Sequence, residues 1–214
     1  ETQAGKGSLA WNDPLNVGAV GVTGAPSANA LAREADVVIA VGTRLQDFIT
    51  GSHALFAADA RRLAINVQTL DATKRGSVAL VADARSALAQ LGAAVAGWHA
   101  DAAWSARAKA LALDWNERVA ALTTHQPKGE LPYDAEVIGA VRDSAPDAAA
   151  SATHDIVVCA AGTLPAELHK LWRTAHAGGY HVEYGYSCMG YEIAGGMGVK
   201  QARPQYEVIV MVGD

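Results

Sequence analysis

Short apolar runs, separated by polar or glycine-containing segments, recur along the first half of the chain. They lie at Asp36–Gly42, Leu63–Val67 and Val78–Val81, and β-branched residues are frequent in them. Runs of this length are typical of strands buried on both faces of a parallel sheet. Helical spacing of apolar residues follows Ser27 and Asp83, which are both good helix N-caps. The first half therefore predicts a parallel sheet flanked by helices.

The stretch Trp98–Thr124 has apolar residues three or four positions apart, which predicts one long helix with a core-facing side. These apolar positions are Trp104, Ala108, Leu111, Trp115, Val119 and Leu122. The segment 125–133 carries two prolines and a glycine and is interpreted as a linker. Residues 1–124 are thus predicted to form one domain, and residues 134–214 to belong to a second.

The second half repeats the alternation of helix and strand. Asp134 begins a predicted helix, Asp155–Cys159 is a predicted strand, and Pro165 lies in the first turn of the helix that follows. A buried strand is expected at Val208–Val212. The helix before that strand is expected to pack closely through its glycines, Gly190, Gly195, Gly196 and Gly198. The predicted fold class is α/β, with parallel sheets and helices on both faces.

Each of the last two predicted strands is followed by a candidate ligand site. Ligands of open α/β sheets bind at the carboxyl ends of the strands. The turn at Gly162, which opens a helix, is a candidate anion site. Asp214, directly after Gly213, is suited to a hard cation such as Mg²⁺, although Gly-Asp is also a common start of a turn.

Composition narrows the classes of partner. The net charge is −5 and no Lys/Arg-rich run occurs, so we expect neither a polyanionic partner nor nucleic acid. Cys159 and Cys188 form no CxxC pair, which favours a reduced, cytoplasmic protein. No apolar run reaches the length of a membrane span, and no membrane partner is expected. A start at Glu1 and an end after a predicted strand favour a truncated piece of a longer protein.

Two segments carry a resemblance to a known family. Gly185–Gly198, GYSCMGYEIAGGMG, resembles the G-x-x-x-MG-x-x-x-x-A-x-x-G segment of thiamine diphosphate enzymes of the acetolactate synthase type. The terminal VMVGD resembles the strand and first two residues of their GDG metal motif, and residues 24–45 and 63–88 resemble their central domain. The resemblance implies thiamine diphosphate and Mg²⁺ as cofactors. It also implies a sirtuin-like central domain followed by the start of a diphosphate-binding domain.

The resemblance assigns roles to particular residues. It places the diphosphate at the two turns, with Asp214 as the metal ligand, and it places Met189 where a methionine supports the bent cofactor. The family's histidine pattern matches His169 only with extra residues after Gly162, so the alternative is a histidine on the helix surface. Arg44 matches a nucleotide-binding strand end in some relatives; the alternative is a surface side chain or a salt-bridge partner. The implied cofactor-binding set is Gly162, Thr163, Leu164, His169, Ser187, Cys188, Met189, Gly213 and Asp214.

One branch of the family is more similar than the others to two segments of this chain, LPAELHKLWR and GYHVEYGYSCMGYEIAGG. Members of that branch hydrolyse a C–C bond of a cyclic 1,2-dione to a deoxy-hexuronic acid during inositol catabolism. The resemblance implies a homo-oligomer, with the proton-relay glutamate in an amino-terminal domain of a partner subunit. No catalytic residue is therefore assigned in this chain, and Glu183 and Glu192 are interpreted as solvated or supporting. The alternatives are an acetolactate synthase-like carboligase and a non-catalytic nucleotide-binding domain.

Overall fold

The computed structural model describes residues 1–124, 131–144, 155–160 and 162–213, and its first half is built on one small parallel sheet. A segment of turns and loops precedes the first helix. Strands β1 (Val37–Val41), β2 (Arg61–Asn66) and β3 (Val78–Val81) pair in the order β1-β2-β3. The helices of this half are α1 (Pro26–Glu34), α2 (Asp47–Thr50), α3 (Thr69–Thr73) and α4 (Ala84–Ala94), with a 3₁₀ turn at Lys74–Gly76.

The second half contains another parallel sheet, which confirms the predicted α/β class. Strand β4 (Asp155–Cys159) lies in the centre, between β5 (Tyr180–Val182) and β6 (Glu207–Val210). The short strand β5 lies in a segment for which the sequence predicts no strand. The helices are α5 (Ala102–Leu122), α6 (Asp134–Asp143), α7 (Thr163–Leu171) and α8 (Tyr191–Ala202). Residues 125–130 of the predicted linker lie outside the described residues.

Local capping explains where several helices begin. Asp83 accepts a hydrogen bond from the amide of Ser86 at 3.0 Å, as an N-cap should. The prediction that Ser27 caps α1 is wrong, because Pro26 already occupies the first turn and suits that position through its fixed φ. The Ser27 hydroxyl instead donates to the carbonyl oxygen of Val17 at 2.7 Å.

The main core lies around the second sheet. Its buried members are Val119, Ile138, Val157, Cys159, Leu168, Leu171, Trp172, Tyr180 and Met211. Only the last turns of α5 reach this core, so the predicted burial of the whole apolar side of α5 is wrong. Trp104 is 37% exposed and Leu122 is 51% exposed. The earlier turns of α5 lie against α1, where Arg107 pairs with Glu34 at 2.9 Å.

Strand β1 is less buried than its sequence suggested. Val37, Ile39 and Val41 are 44%, 49% and 37% exposed, whereas Ala40 on the opposite face is 5% exposed. Ala40 packs with Leu45 in a small cluster. The described residues thus cover one face of β1 better than the other, whereas β3 is exposed at all four positions. An apolar run indicates a strand that suits burial, but it does not specify which element covers each face.

The glycines of α8 have different surroundings. A Cβ atom at Gly196 would collide with the side chain of Val210 on β6, so this glycine allows helix and strand to approach closely. A Cβ at Gly195 would contact the ring of Tyr191. No described atom lies within 4 Å of a Cβ at Gly190 or Gly198, so the predicted close packing holds at Gly196 and is wrong at those two positions.

The first 25 residues lie against the second half of the chain. The Trp11 amide donates to the carbonyl oxygen of Thr174 at 2.8 Å, and the guanidinium carbon of Arg173 lies 4.5 Å from the centroid of the Trp11 ring. The Lys6 ammonium nitrogen lies 5.7 Å from the centroid of the Tyr180 ring. These contacts attach the amino-terminal segment to the core around β4 and β5. No helix in the described ranges is long and apolar enough to cross a membrane.

Candidate cofactor site

The carboxyl ends of β4 and β6 lie side by side. Val158 is paired with Val210, and the amide of Met211 donates to the carbonyl oxygen of Val158 at 3.0 Å. The turns that follow the two strands therefore start from neighbouring positions, as the diphosphate hypothesis requires. Gly213 is exposed at the end of the second turn. Asp214, the predicted metal ligand, lies outside the described residues.

The turn after β4 presents the amino end of a helix. Gly162 is the N-cap of α7, with φ 121° and ψ −167°, a conformation that L-residues rarely adopt. Gly162 has no side chain with which to cap this helix, and within the described residues the first-turn amides suit a ligand. Thr163 is exposed, while Leu164 packs partly against the core. This arrangement suits an anion such as a diphosphate.

An open cleft of about 960 Å³ lies in front of this helix end. Gly162 and Thr163 line one wall together with Ser187, so the structure brings together residues that are 24 or more positions apart in the chain. Lys74 and Arg75, from the 3₁₀ turn of the first half, line the same cleft, and so does Asp47. Because Lys74 is paired with Asp71 at 2.7 Å, these residues add little net positive charge. The volume is at the upper end of the range for ligand sites, about 300 to 1,000 Å³. The cleft is therefore large enough for part of a diphosphate cofactor.

The loop between β5 and α8 carries the other predicted cofactor residues. Ser187 has φ 55°, Cys188 is exposed, and the Met189 side chain is 86% exposed. Met189, an apolar residue, is therefore not part of the core. Glu183 accepts hydrogen bonds from the amides of Tyr186 at 2.8 Å and Cys188 at 2.7 Å. Its carboxylate is therefore engaged by its own loop.

His169 is buried, so the alternative of a helix-surface histidine is wrong. Only 2% of the residue is exposed. Its Nδ1 atom lies 2.9 Å from the carbonyl oxygen of Thr23 and 2.9 Å from the Thr23 hydroxyl, 146 positions away in the sequence. Burial, together with the nearby charge of Lys6, lowers the pKa of His169 to about 4. The described cleft lining does not include this side chain, and its contact with a cofactor stays a prediction.

Two further buried groups lie near the end of β4. The Cys159 sulfur is 3.6 Å from the Tyr180 hydroxyl, and burial raises the pKa of the Cys159 thiol to about 11. Cys159 is thus a neutral core residue. Glu192 is only 6% exposed and its Oε2 atom has no hydrogen-bond partner in the described parts of the chain. The interpretation of Glu192 as a solvated carboxylate is therefore wrong.

A second cleft, of about 430 Å³, lies at the carboxyl end of β1. Gly42, Thr43 and Arg44 line it from the first half, and Tyr184 and Tyr191 from the second. Arg44 is exposed and lines this cleft, a placement that suits a nucleotide-binding arginine and a surface arginine equally. Within residues 1–124, 131–144, 155–160 and 162–213, no group of three or more His, Cys, Asp or Glu side chains is arranged to hold a metal ion.

Comparison with known protein families agrees with both halves of the structure. Residues 1–91 match the central domain of thiamine pyrophosphate enzymes, and residues 160–214 match their C-terminal TPP binding domain. The chain belongs to the thiamine pyrophosphate enzyme family. The two matches cover the first sheet together with α1 to α3, and the part of the second half that contains α7, the loop and α8.

Several curated relatives match this chain along its whole length. They are named 3D-(3,5/4)-trihydroxycyclohexane-1,2-dione hydrolase. The proteins from Geobacillus thermodenitrificans, Clostridium perfringens and Bacillus subtilis are 39%, 36% and 36% identical to it. The matches cover 100% of this chain and 36% of each relative. The chain thus spans about a third of the length of these relatives.

Proposed function

We propose that the protein carrying this chain is a thiamine diphosphate- and Mg²⁺-dependent hydrolase that cleaves a C–C bond of a cyclic 1,2-dione. One observation carries the proposal: the amino end of α7, which follows β4, and the loop with Ser187 line the same cleft. The whole-length similarity to relatives named trihydroxycyclohexane-dione hydrolase supports the choice of substrate.

The residues around the cleft fit the proposed cofactor. The uncapped first turn of α7 offers N–H groups to the diphosphate, and Gly162 adds no side chain that would fill the space in front of them. Asp214 is proposed to hold Mg²⁺ against the same phosphates. Met189 is exposed on the loop and is proposed to contact the cofactor's rings. When bound, thiamine diphosphate supplies the electron sink for C–C cleavage, and the protein supplies orientation and charge.

The proposed reaction is a hydrolysis, so water provides the hydroxyl group of the new carboxylic acid. The ring bond between the two carbonyl carbons breaks: one carbon takes the hydroxyl group and becomes the carboxylic acid, and the other takes the proton and becomes the aldehyde of an open-chain deoxy-hexuronic acid. We also propose that the protein acts in inositol catabolism in the cytoplasm, as a homo-oligomer. The proton-relay glutamate is proposed to come from the amino-terminal domain of a second subunit.

The test is turnover of trihydroxycyclohexane-1,2-dione by the full-length protein with thiamine diphosphate and Mg²⁺. We expect ring opening with formation of an acid, and loss of activity when Mg²⁺ is chelated with EDTA. In separate parallel reactions, pyruvate replaces the dione as the substrate. Formation of acetolactate without dione hydrolysis would select the carboligase alternative. Adenine-nucleotide binding without turnover of either substrate would select the non-catalytic alternative.

A further inference from the structure

The loop that carries Ser187, Cys188 and Met189 is organised around one carboxylate. Glu183 directly follows β5, and its two oxygens accept hydrogen bonds from the Tyr186 amide at 2.8 Å and the Cys188 amide at 2.7 Å. The loop therefore folds back over its own start. Loop amides commonly bond to water instead, so a single side chain that engages two of them fixes the local path of the backbone.

The ionised form of Glu183 suits this role. The amides of Cys188 and Tyr186, in that order, hold the pKa of the Glu183 carboxyl below its usual range, with smaller contributions from Gly185 and Ser187. Hydrogen bonds to a charged acceptor are stronger than those between neutral groups. The carboxylate thus balances the amide dipoles of a loop whose residue Ser187 has φ 55°.

The loop lies between the cleft and the helix that follows it. Ser187 and Gly185 line the cleft, as do Lys74 and Arg75. Met189 follows Cys188 directly, and α8 starts at Tyr191. Any change in the path of residues 185–188 therefore moves both Ser187 and Met189 relative to the amino end of α7.

We propose that Glu183 is a positioning residue that holds the loop 185–189 in the conformation that binds thiamine diphosphate. Glu183 does not contact the cofactor in this proposal; it acts through the backbone amides of Tyr186 and Cys188. The inference rests on the proposed function, because it takes the adjoining cleft as the cofactor site. It assigns Glu183 a role separate from the proton-relay glutamate.

The experiment compares E183A, E183Q and wild type in the full-length protein. Hydrogen exchange of the peptide covering 184–190 reports the two amide bonds, and titration calorimetry reports the dissociation constant of thiamine diphosphate. The matched control is D83N, because Asp83 makes a similar carboxylate-to-amide bond at the start of α4, outside the cleft. Thermal unfolding and the KM for the dione at saturating cofactor are measured for each variant.

For E183A we expect exchange in the loop and the cofactor dissociation constant to rise about tenfold each, since two charge-assisted bonds are lost. E183Q should restore part of the affinity, because its amide oxygen still accepts one bond. The midpoint of unfolding and the dione KM should stay close to wild type, which a general loss of structure would not allow. D83N should leave loop exchange and cofactor affinity unchanged.

Two results overturn the inference while the proposed function stands. One is faster loop exchange in E183A and E183Q with wild-type cofactor affinity. The other is unchanged loop exchange in both variants. If the wild-type protein itself fails to bind thiamine diphosphate, the proposed function is refuted, and the positioning role is refuted with it. The exchange data and the wild-type titration thus separate the two failures.

Discussion

The burial of His169 makes stability depend on pH in a defined window. Its pKa is about 4 in the folded protein, against 6.5 for an exposed histidine. Between these values the unfolded chain binds the proton more readily than the folded chain does. The free energy of unfolding therefore rises with pH from about 4 to 6.5 and is independent of this group above that window. Acidification through the window destabilises the fold, because a buried imidazole must then be charged or exposed.

The magnitude follows from the two pKa values. Integrating the proton linkage for this one group from pH 7 to pH 5 gives a loss of about 2 kcal/mol in the free energy of unfolding. The test is urea unfolding of wild type and H169N at both pH values. Asparagine retains an N–H donor near the position of Nδ1, so it can still bond to the carbonyl oxygen of Thr23, but it does not titrate.

Within each protein, the comparison uses the difference between the free energy of unfolding at pH 7 and that at pH 5. This difference removes the packing lost when the ring is replaced. We expect H169N to lose about 2 kcal/mol less than wild type on acidification. The exposed His99 provides the matched control, and H99N should keep the wild-type response. An equal loss in wild type and H169N would refute the reasoning, because it would show that His169 does not change its proton affinity on folding.

Three further changes test the packing and the site. Gly196→Ala should destabilise the protein by about 1 to 3 kcal/mol, because its Cβ collides with Val210, and V210A in the same chain should recover part of that loss in urea unfolding. Gly162→Ala should weaken thiamine diphosphate binding about tenfold in calorimetry, because φ 121° is strained for alanine, while the nearest atom to the new Cβ is 4.0 Å away. Glu192→Gln should leave the thermal midpoint unchanged or raise it, because it replaces a buried carboxyl group whose Oε2 atom lacks a described partner; a clear fall would contradict this.

Much of the fold followed from local pattern. The strand at Val78–Val81 was predicted with its observed bounds, and the strand at Asp155–Cys159 likewise. Short segments were missed for an identifiable reason: β5 contains only Tyr180–Val182, and three residues do not show a period. Burial was predicted less well than secondary structure, as Val37 and Ile39 show. Periodicity identifies the apolar face of an element, and the neighbour that covers it comes from elsewhere in the chain.

The candidate site, like the fold, was only partly predictable from the sequence. Gly162 and Ser187 were assigned by family resemblance, and the structure places both at one cleft. The partner of His169 was not predictable, because Thr23 is 146 positions away and lies in a segment without a pattern. The role of Glu183 was also missed. Its signal is local, since a carboxylate three to five residues before exposed amides is able to cap them, and a search for such caps in the Gly-rich loop would have found it.

The attachment of the amino-terminal segment to the second sheet affects how the protein is best divided for expression. A clone that ends at Thr124 would carry Trp11 and Thr23 without the surface formed by Thr174 and His169. The complementary clone would expose a histidine that is otherwise shielded from water. When the two pieces are co-expressed, each should cover the contact surface that the other exposes. Co-expression should therefore keep both halves in solution better than expression of either half alone.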